Sequence, residues 1–341
     1  MELYRSAYKL VREMVKVREG ETVLITADTG SDWDVVEAVA GAVFTAGGKP
    51  MVVWHPMPPH VGKAADPYLP LEPLESALLS ADVWIELNKS WLLYSTPYDK
   101  AVEKGKIRYM CLVGMTREMI VRTVGRVNVS LLLEFQRKLA DITLRTRRMR
   151  MTTPAGTDLE FENDPERPIF VEGEVQGPGE YMLIGQVDWA PLEETVSGTL
   201  VFDGSVYPPE ELGLLKEPIF MDIERGKVIK IYGGKEARIF ERWLRSFNDP
   251  SMFSLAHVSY GCNPGAILTG NVLEDERVWG TLEWGIGNQG ACFKGSAGFA
   301  KSHTDGICLS PTLLGDGIKI LEDGRYVHPE LKALERELLT F

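Results

Sequence analysis

The first third of the chain alternates helix-period and strand-period apolar patterns, and this alternation constrains the fold more than any other feature. Helical spacing covers residues 3–18 and 33–46, and short apolar, β-rich runs occur at residues 22–27, 50–54, 81–87 and 107–113. The segment Asp28-Thr-Gly-Ser31 supplies a turn and a helix cap between two of them. Such alternation predicts parallel strands joined by helical crossovers. We therefore expect an open, mainly parallel α/β domain over residues 1–125.

The pattern changes after a predicted helix at residues 128–143. Residues 145–162 contain two strand patterns around Pro154-Ala-Gly-Thr-Asp158, which is a hairpin signal. Strands and Gly-rich turns then dominate, interrupted by one clear helical pattern at residues 235–247. This half, residues 126–341, is predicted to be a second domain of α+β type with mainly antiparallel sheet.

The composition excludes several classes of partner. The chain has 341 residues, with 37 basic and 49 acidic side chains and a net charge of −12. A negative field of this size repels nucleic acids and anionic membranes, so neither is expected as a partner. No apolar run is long enough to span a bilayer, and the N-terminus has a charged amphipathic pattern instead of a signal peptide. The four cysteines form no CxxC pair, which favours reduced thiols and a cytoplasmic location.

The strongest local signal is the HxD pair in Ser302-His303-Thr304-Asp305-Gly306. On an extended segment, side chains two residues apart project from the same face, so His303 and Asp305 can bind one metal ion. The alternative is a surface histidine beside a turn aspartate.

The chain has only five histidines, which limits the kinds of metal site it can build. They are His55, His60, His257, His303 and His328. A site that mixes histidine with carboxylates is easier to assemble than one with three histidines. His257 lies in an apolar, strand-like setting, where a core histidine and a site histidine are both possible. His55 and His60 lie in a Pro-rich loop, and His328 precedes a proline near the terminus.

The segment Gly285-Ile-Gly-Asn-Gln-Gly290 matches GxGxxG, but its context does not favour a dinucleotide site. It lies late in the chain, outside a βαβ unit and without a helix directly after it. A Gly-rich turn beside a substrate pocket is the better interpretation. The sequence contains no GxSxG, P-loop or HExxH motif.

Several further motifs resemble a known family of enzymes. They are Gly156-Thr-Asp158, Gly198-Thr-Leu200, Gly233-Gly234, Phe247-Asn-Asp-Pro250, Ala256-His-Val-Ser-Tyr-Gly261, Asn263-Pro264 and the HxD pair. Together they resemble the 2,5-dihydroxypyridine 5,6-dioxygenases, non-heme iron enzymes that share the fold of the aminopeptidase T metallopeptidases. The resemblance covers most of the second domain and is patchy over the first. It implies that fold, a homo-oligomer, a small-molecule substrate and O2.

The resemblance also implies a ligand set for Fe(II), with Zn, Mn or Co as other possible metals. His303 and Asp305 match the family's HxD ligands, and the family's ligand glutamate falls at Glu172 or Glu174, with Glu172 fitting the spacing better. Glu193 is a further carboxylate candidate. One imidazole and two carboxylates leave open positions on one face of an octahedral ion.

His257 matches a family histidine beside the metal and is expected to act in catalysis. It would accept a proton from a substrate hydroxyl or hydrogen-bond to the bound oxygen.

Three pocket positions depart from the family pattern. Tyr94 replaces a histidine and is expected to act in catalysis, Tyr181 occupies the region of another histidine, and Gly285 replaces a serine. Together with Glu283 and Gln186, Tyr181 and Gly285 are expected to contact substrate. Because these departures remove polar partners, they favour retained metal chemistry on a different substrate.

Two other functions compete with ring cleavage. Gly185-Gln-Val-Asp-Trp-Ala-Pro191 resembles a segment of two-metal aminopeptidases, but Gln186 stands where that family has a ligand glutamate. His257 falls at a second ligand glutamate, and Glu283 falls at a ligand histidine. A neutral amide is a poor ligand for a dimetal centre, which makes the peptidase the weaker alternative. The third possibility is a non-catalytic binding protein on the same fold.

Overall fold

The structure is a computed structural model and describes residues 1–340. The strands are β1 (Thr22–Asp28), β2 (Lys49–His55), β3 (Val83–Glu86), β4 (Arg108–Cys111), β5 (Arg148–Thr152), β6 (Asp158–Glu162), β7 (Ile169–Val171), β8 (Gly179–Tyr181), β9 (Gln186–Trp189), β10 (Ser197–Phe202), β11 (Ser205–Tyr207), β12 (Gly213–Leu214), β13 (Ile219–Glu224), β14 (Lys227–Gly233), β15 (Leu255–Gly261), β16 (Leu282–Gly287), β17 (His303–Cys308), β18 (Thr312–Gly315), β19 (Ile318–Glu322) and β20 (Arg325–Tyr326). The α-helices are α1 (Glu2–Lys9), α2 (Trp33–Thr45), α3 (Leu71–Ser80), α4 (Thr96–Glu103), α5 (Arg117–Ile120), α6 (Val129–Arg145), α7 (Lys235–Ser246), α8 (Val272–Asp275) and α9 (Lys332–Thr340).

The chain divides into two compact units. The first unit comprises Met1–Val129 together with Glu172–Ile184, and the second comprises Ser130–Val171 and the chain from Gly185 onwards. The sequence pattern predicts two domains that are each continuous in sequence. In the structure, residues 172–184 instead return to the first unit. That return contributes one strand, β8, to the first unit's sheet.

The first unit is built on a parallel sheet, as the alternating pattern predicts. Its strand order is β2-β1-β3-β4-β8, and the pairs along it are parallel. An aromatic group packs on this sheet, with the rings of Trp84 and Tyr109 stacked at 4.0 Å and Tyr98 edge-on to Tyr109 at 5.6 Å. The predicted open α/β domain is confirmed.

Open α/β folds usually bind ligands at the carboxyl edge of the sheet, but here the end of β1 contacts other parts of the same chain. The Asp28 carboxylate at the end of β1 accepts hydrogen bonds from the backbone N–H groups of Lys89 and Ser90, each at 2.9 Å. A Cβ added at Gly30 would lie 2.7 Å from Cβ of Lys89 and 3.0 Å from Sδ of Met57. The end of β1 is therefore packed against the segment that follows β3.

The second unit contains two sheets whose strand pairs are antiparallel, as predicted. The eight-stranded sheet has the order β14-β13-β10-β6-β5-β18-β19-β20, and the seven-stranded sheet has the order β12-β11-β17-β16-β15-β9-β7. This arrangement confirms the predicted α+β, mainly antiparallel half. Among residues 1–340, none of the helices combines the length and hydropathy needed to cross a bilayer.

The two sheets of the second unit pack through alternate residues of β16 and β17. The Trp284 ring meets Phe161 of the other sheet edge-on at 5.3 Å, and its N–H donates to the sulfur of Met151 at 3.4 Å. Gly306 lies beside Trp284 in the strand register, and a side chain there would overlap the ring of Phe202. Because strand side chains alternate, the neighbouring residues of β16 and β17 project from the other face.

A buried carboxyl in the first unit makes its stability depend on pH. Glu86 accepts hydrogen bonds from the Leu92 N–H at 2.5 Å and from the Tyr109 hydroxyl. Burial raises the pKa of Glu86 to about 8, against an ordinary value of 4.5. The folded protein then keeps a proton that the unfolded chain releases, so stability falls as pH rises from about 4.5 to about 8.

We expect Glu86→Gln to remove much of this pH dependence. The amide oxygen can still accept from the Leu92 N–H, the amide NH2 can donate to the Tyr109 hydroxyl oxygen, and the side chain has no charge to desolvate. Glu86 contributes a slope of at most about 1.4 kcal/mol per pH unit in that window. Urea unfolding of both proteins between pH 5 and pH 8 measures the difference. Equal slopes in the two proteins would show that Glu86 does not carry this proton.

Candidate metal centre

Three adjacent strands of the second unit bring the predicted HxD pair beside His257. The register places His257 of β15 opposite Gly285 of β16, and Gly285 opposite Asp305 of β17. His303 lies two residues before Asp305 on the same strand. Since Trp284 and Gly306 face the core, the side chains of His257, His303 and Asp305 share the opposite face of the sheet.

Gly285 leaves the space that the two imidazoles occupy. A Cβ at this position would lie 2.5 Å from Cε1 of His257 and 2.8 Å from Cε1 of His303. The two rings are stacked, with centroids 5.1 Å apart and planes 8° from parallel. Gly285 therefore lies inside a strand between two imidazoles, whereas its motif suggested a Gly-rich turn beside a pocket. Its predicted contact with substrate stays a prediction.

The HxD pair is held by a hydrogen-bond arrangement that suits a metal ligand. Nδ1 of His303 lies 2.7 Å from the carbonyl oxygen of Asn288, and Nε2 lies 2.7 Å from Oδ1 of Asp305. Because a carbonyl only accepts, Nδ1 carries the proton, and Nε2 is directed at the carboxylate. A second-sphere bond of this kind typically orients metal-binding histidines.

The paired charges of His303 and Asp305 shift both pKa values. Burial lowers the pKa of His303, but the Asp305 carboxylate outweighs it and raises the pKa overall. Burial raises the pKa of Asp305, but the charge and hydrogen bond of His303 lower it overall. Without a cation the two side chains form an ion pair, and a cation between them would replace its proton.

His257 completes a group that could hold a metal. One ligand atom from each of His257, His303 and Asp305 can be chosen so that all three lie within 4.8 Å of one another. Nε2 of His257 is 3.3 Å from Oε2 of Glu283 and 3.8 Å from Oδ1 of Asp305. Burial lowers the pKa of His257, which favours its neutral form.

Glu283 places a second carboxyl against this group. It is fully buried, and its Oε2 accepts a hydrogen bond from the Ser259 hydroxyl at 2.6 Å. Its Oε1 has no hydrogen-bond partner among residues 1–340. Burial and the nearby charges of Asp305 and Glu276 raise the pKa of Glu283 well above its ordinary range.

A third carboxyl, Glu276, lies close enough to interact with the charge of Asp305. Burial and the charge of Asp305 raise its pKa to about 7, although it pairs with Arg277 at 2.8 Å. A buried, unpartnered oxygen and crowded carboxyls are costly in the absence of a cation. The donor set of imidazole nitrogens and carboxylate oxygens therefore fits a divalent metal ion.

The remaining predicted site residues lie in different parts of the chain. Gln186 of β9 donates to the Ser259 hydroxyl at 3.0 Å, on the same strand face as Glu283. Tyr94 and Tyr181 belong to the first unit, where the Tyr181 hydroxyl donates to the carbonyl oxygen of Gly177 at 3.0 Å. Tyr94 is 41% exposed and meets Tyr98 edge-on. Their predicted roles in catalysis and substrate binding stay predictions.

The expected third ligand also belongs to the first unit. The Glu172 carboxylate accepts a hydrogen bond from the Met182 N–H at 2.7 Å. That Glu172, or the alternate Glu174, completes the metal's ligand set stays a prediction.

The other alternate, Glu193, is buried in the second unit and bonded to Arg167, Gln289 and Ser296. The group of His257, His303 and Asp305 does not include it.

Sequence reasoning missed two residues of the site. Glu276 ends the acidic run Glu274-Asp-Glu276 just after α8, which resembles an ordinary solvated helix end. Asn288 belongs to the GxGxxG match, and it acts through a backbone carbonyl that no side-chain motif reports. The acidic run itself was the available signal in the sequence.

A two-unit fold with imidazoles and carboxyls clustered on one strand face defines a candidate metalloprotein. The model of one family, 2,5-dihydroxypyridine 5,6-dioxygenase, matches residues 4–328. The chain belongs to that family.

Individual relatives agree with this assignment. The 2,5-dihydroxypyridine 5,6-dioxygenase of Pseudomonas putida KT2440 is 30% identical over 145 residues, a match that spans 41% of this chain and 41% of that protein. A solved structure of 2,5-dihydroxypyridine dioxygenase from the same organism has a TM-score of 0.79 at 21% identity and covers 96% of this chain and 98% of its own.

The second solved structure is wild-type AmpT from Thermus thermophilus. It has a TM-score of 0.67 at 17% identity and covers 96% of this chain and 99% of its own. At this identity the likeness shows the fold alone, and the predicted aminopeptidase T-like fold is confirmed.

We expect Gly285→Ala to weaken metal binding. The new Cβ would force at least one imidazole away from its present position, because both rings lie under 3 Å from it. A loss in affinity of roughly 10–100-fold, as for changes next to ligands, is the expected size. Titration with Mn(II) or Zn(II) measures it. Gly41→Ala is the control, since nothing lies within 4 Å of a Cβ there. Unchanged affinity in Gly285→Ala would contradict this packing argument.

Proposed function

We propose that this protein is a ring-cleaving dioxygenase with a mononuclear non-heme Fe(II) centre. Its substrate would be a hydroxylated N-heteroaromatic ring, such as a dihydroxypyridine, with O2 as co-substrate. The single observation that supports this most is the 2.7 Å contact between Nε2 of His303 and Oδ1 of Asp305, beside His257, in a chain of this family. We also propose a cytoplasmic homo-oligomer, as the family resemblance implies.

The described residues suggest how the ion would be held. His303 and Asp305 offer a nitrogen and an oxygen on one face, and Asn288 fixes the imidazole's orientation. Glu172 is the third ligand that the family resemblance implies. Fe(II) in this position would supply a Lewis acid that lowers the pKa of a substrate hydroxyl and an electron source for O2.

His257 is the residue best placed to handle the substrate's proton. Its ring lies next to His303, and its Nε2 faces the Asp305 and Glu283 carboxyls. A neutral imidazole in this position can accept a proton from a hydroxyl or donate a hydrogen bond to the oxygen left behind. Phe293 stacks on the His257 ring with centroids 5.2 Å apart and covers one face of that ring.

The departures from the family pattern bear on the substrate. Gly285 cannot hydrogen-bond through a side chain, and the space above it is taken by the two imidazoles. Tyr94 offers a phenol where the family has an imidazole. A substrate with fewer or differently placed polar groups than 2,5-dihydroxypyridine therefore fits these changes best.

An aminopeptidase of the aminopeptidase T type is the second candidate, supported by the shared fold. Gln186 is the observation against it, because its amide donates to Ser259 in place of a ligand carboxylate. The two candidates differ in metal stoichiometry and in products.

We expect one iron ion per chain in anaerobically prepared protein and O2 uptake with hydroxylated pyridines. His303→Ala and Asp305→Asn should each lose the metal and the O2 uptake, since each removes a ligand. The loss of affinity should exceed the roughly 10–100-fold typical of second-sphere changes. Elemental analysis and an oxygen electrode measure both. His60→Ala, in an exposed loop, is the control. Two zinc ions per chain with release of amino acids from peptides would establish the peptidase instead.

We expect His257→Phe to keep the metal and lose turnover. Phenylalanine preserves the stack on Phe293 and removes the proton acceptor, so kcat should fall by about 10²–10⁴-fold. Steady-state O2 uptake with iron content measured on the same sample tests this. An undiminished rate would remove His257 from the mechanism.

A further inference from the structure

A loop between β16 and β17, residues 288–302, lies beside both imidazoles. It begins at Asn288, whose carbonyl accepts the His303 Nδ1 proton. Near its middle, the Phe293 ring stacks on His257 with centroids 5.2 Å apart and planes 6° from parallel. Phe293 also meets Phe170 edge-on at 5.2 Å. Phe293, His257 and His303 thus form a column of three nearly parallel rings.

The 288–302 loop is tied down by the buried carboxylate of Glu193. Oε1 accepts hydrogen bonds from the Ser296 N–H at 3.0 Å and from the Gln289 amide at 2.7 Å, and Oε2 accepts from the Ser296 hydroxyl at 2.9 Å. A Cβ at Gly295 would overlap both Glu193 and Gln289. The loop therefore needs glycine there to pass directly over the carboxylate.

Glu193 is itself held in an ionised, fixed state. Arg167 donates to its Oε2 at 2.8 Å, and the side chains are only 11% and 8% exposed. Burial raises the pKa of Glu193, but the hydrogen bonds from Gln289, Arg167 and Ser296 outweigh it and lower the pKa overall. Separating Glu193 from Arg167 would leave a buried charge without a partner. Because that is costly, the contact between the two side chains is held firmly.

The same anchor reaches the strand that carries His257. The Gln289 amide, bonded to Glu193, also donates to the carbonyl oxygen of Ala256 at 2.5 Å. Ala256 directly precedes His257 on β15. Through the Gln289 side chain, Glu193 therefore connects the backbone beside His257 to the 288–302 loop. The same loop places Phe293 against the His257 ring.

We infer that Glu193 and Phe293 are positioning residues for His257. Glu193 fixes the 288–302 loop, and Phe293 holds the His257 imidazole parallel to His303 with Nε2 directed at Asp305 and Glu283. Stacking restricts rotation of the imidazole about its side-chain bonds, which is the motion that would turn Nε2 away. The expected effect on turnover rests on the proposed function, but the expected effect on the orientation of the His257 imidazole does not. Glu193 contributes no metal ligand.

The test compares Phe293→Leu and Glu193→Gln with two matched controls. Phe299→Leu changes another aromatic of the same loop that is 80% exposed, and Glu194→Gln changes the exposed neighbour of Glu193. Phe293→Tyr is the conservative variant, which keeps a ring to stack. Phe293→Leu is a mild change at a half-buried position, so it remains informative if Glu193→Gln folds poorly.

Three readouts separate positioning from general loss of structure. Side-chain NMR of ¹⁵N-histidine in Zn(II)-loaded protein reports His257, amide hydrogen exchange reports Gln289 and Ser296, and metal analysis reports the ligands. Glu193→Gln keeps the Phe293 ring, so a shift of the His257 resonances there, with faster exchange at Ser296, reports movement of the imidazole. Phe293→Leu should broaden or split the His257 resonances as the imidazole samples other orientations, which loss of the Phe293 ring current alone does not do. Metal content should be unchanged in both. Phe293→Tyr and both controls should resemble the parent protein. With iron and an accepted substrate, kcat should fall by about 10–100-fold and KM should change less.

Two results would overturn the inference. A single sharp set of His257 resonances in Phe293→Leu, together with unshifted His257 resonances in Glu193→Gln, would show that neither residue positions the ring. Loss of metal in Glu193→Gln with normal loop exchange would make Glu193 a ligand. If no tested ring compound is turned over by the parent protein, the proposed function fails, but the NMR and exchange results still decide this inference.

Discussion

The second unit is organised around the contact between His303 and Asp305. An imidazole and a carboxylate in one strand, 2.7 Å apart and half-buried, are most stable when their charges are paired or shared with a cation. Glu283 and Glu276 add two more carboxyls to the same volume, and burial raises the pKa of each. Carboxyls crowded in this way are costly to ionise in a protein interior, and a bound metal ion would offset that cost.

The strand alternation lets one pair of strands build both the core and the site. Trp284 and Gly306 face the neighbouring sheet, where Phe161 and Phe202 pack against them. The residues between them face the site. A glycine on each face leaves room for large rings. Gly306 makes space for Phe202 in the core, and Gly285 makes space for His257 and His303 in the site.

The sequence predicted the parts of the fold that depend on local pattern. Helix–strand alternation identified the parallel sheet of the first unit, and Pro154-Ala-Gly-Thr-Asp158 marked the β5–β6 hairpin. The return of residues 172–184 was not predictable in this way, because β8 is a short strand whose partner β4 lies about 70 residues earlier. Its assignment depends on a long-range pairing that no local period encodes.

The site was predictable to a similar extent. The HxD spacing alone places His303 and Asp305 on one face, because side chains two residues apart on any strand project from the same side. The GxGxxG match predicts a turn at Gly285, whereas its role depends on the register of three strands that are distant in sequence. Asn288 acts through its backbone and Glu193 through a buried anchor, so neither carries a side-chain signature of its function. A local sequence pattern does not report which distant strands pair with one another, or which backbone groups accept hydrogen bonds in the site.

The most direct test of this account is a crystal structure of the protein grown with Mn(II) or Fe(II), with anomalous scattering measured at the metal's absorption edge. We expect one anomalous peak per chain, within about 2.0–2.3 Å of both Nε2 of His303 and a carboxylate oxygen of Asp305. A peak elsewhere, or unbroken contact between these two side chains in metal-saturated crystals, would contradict it.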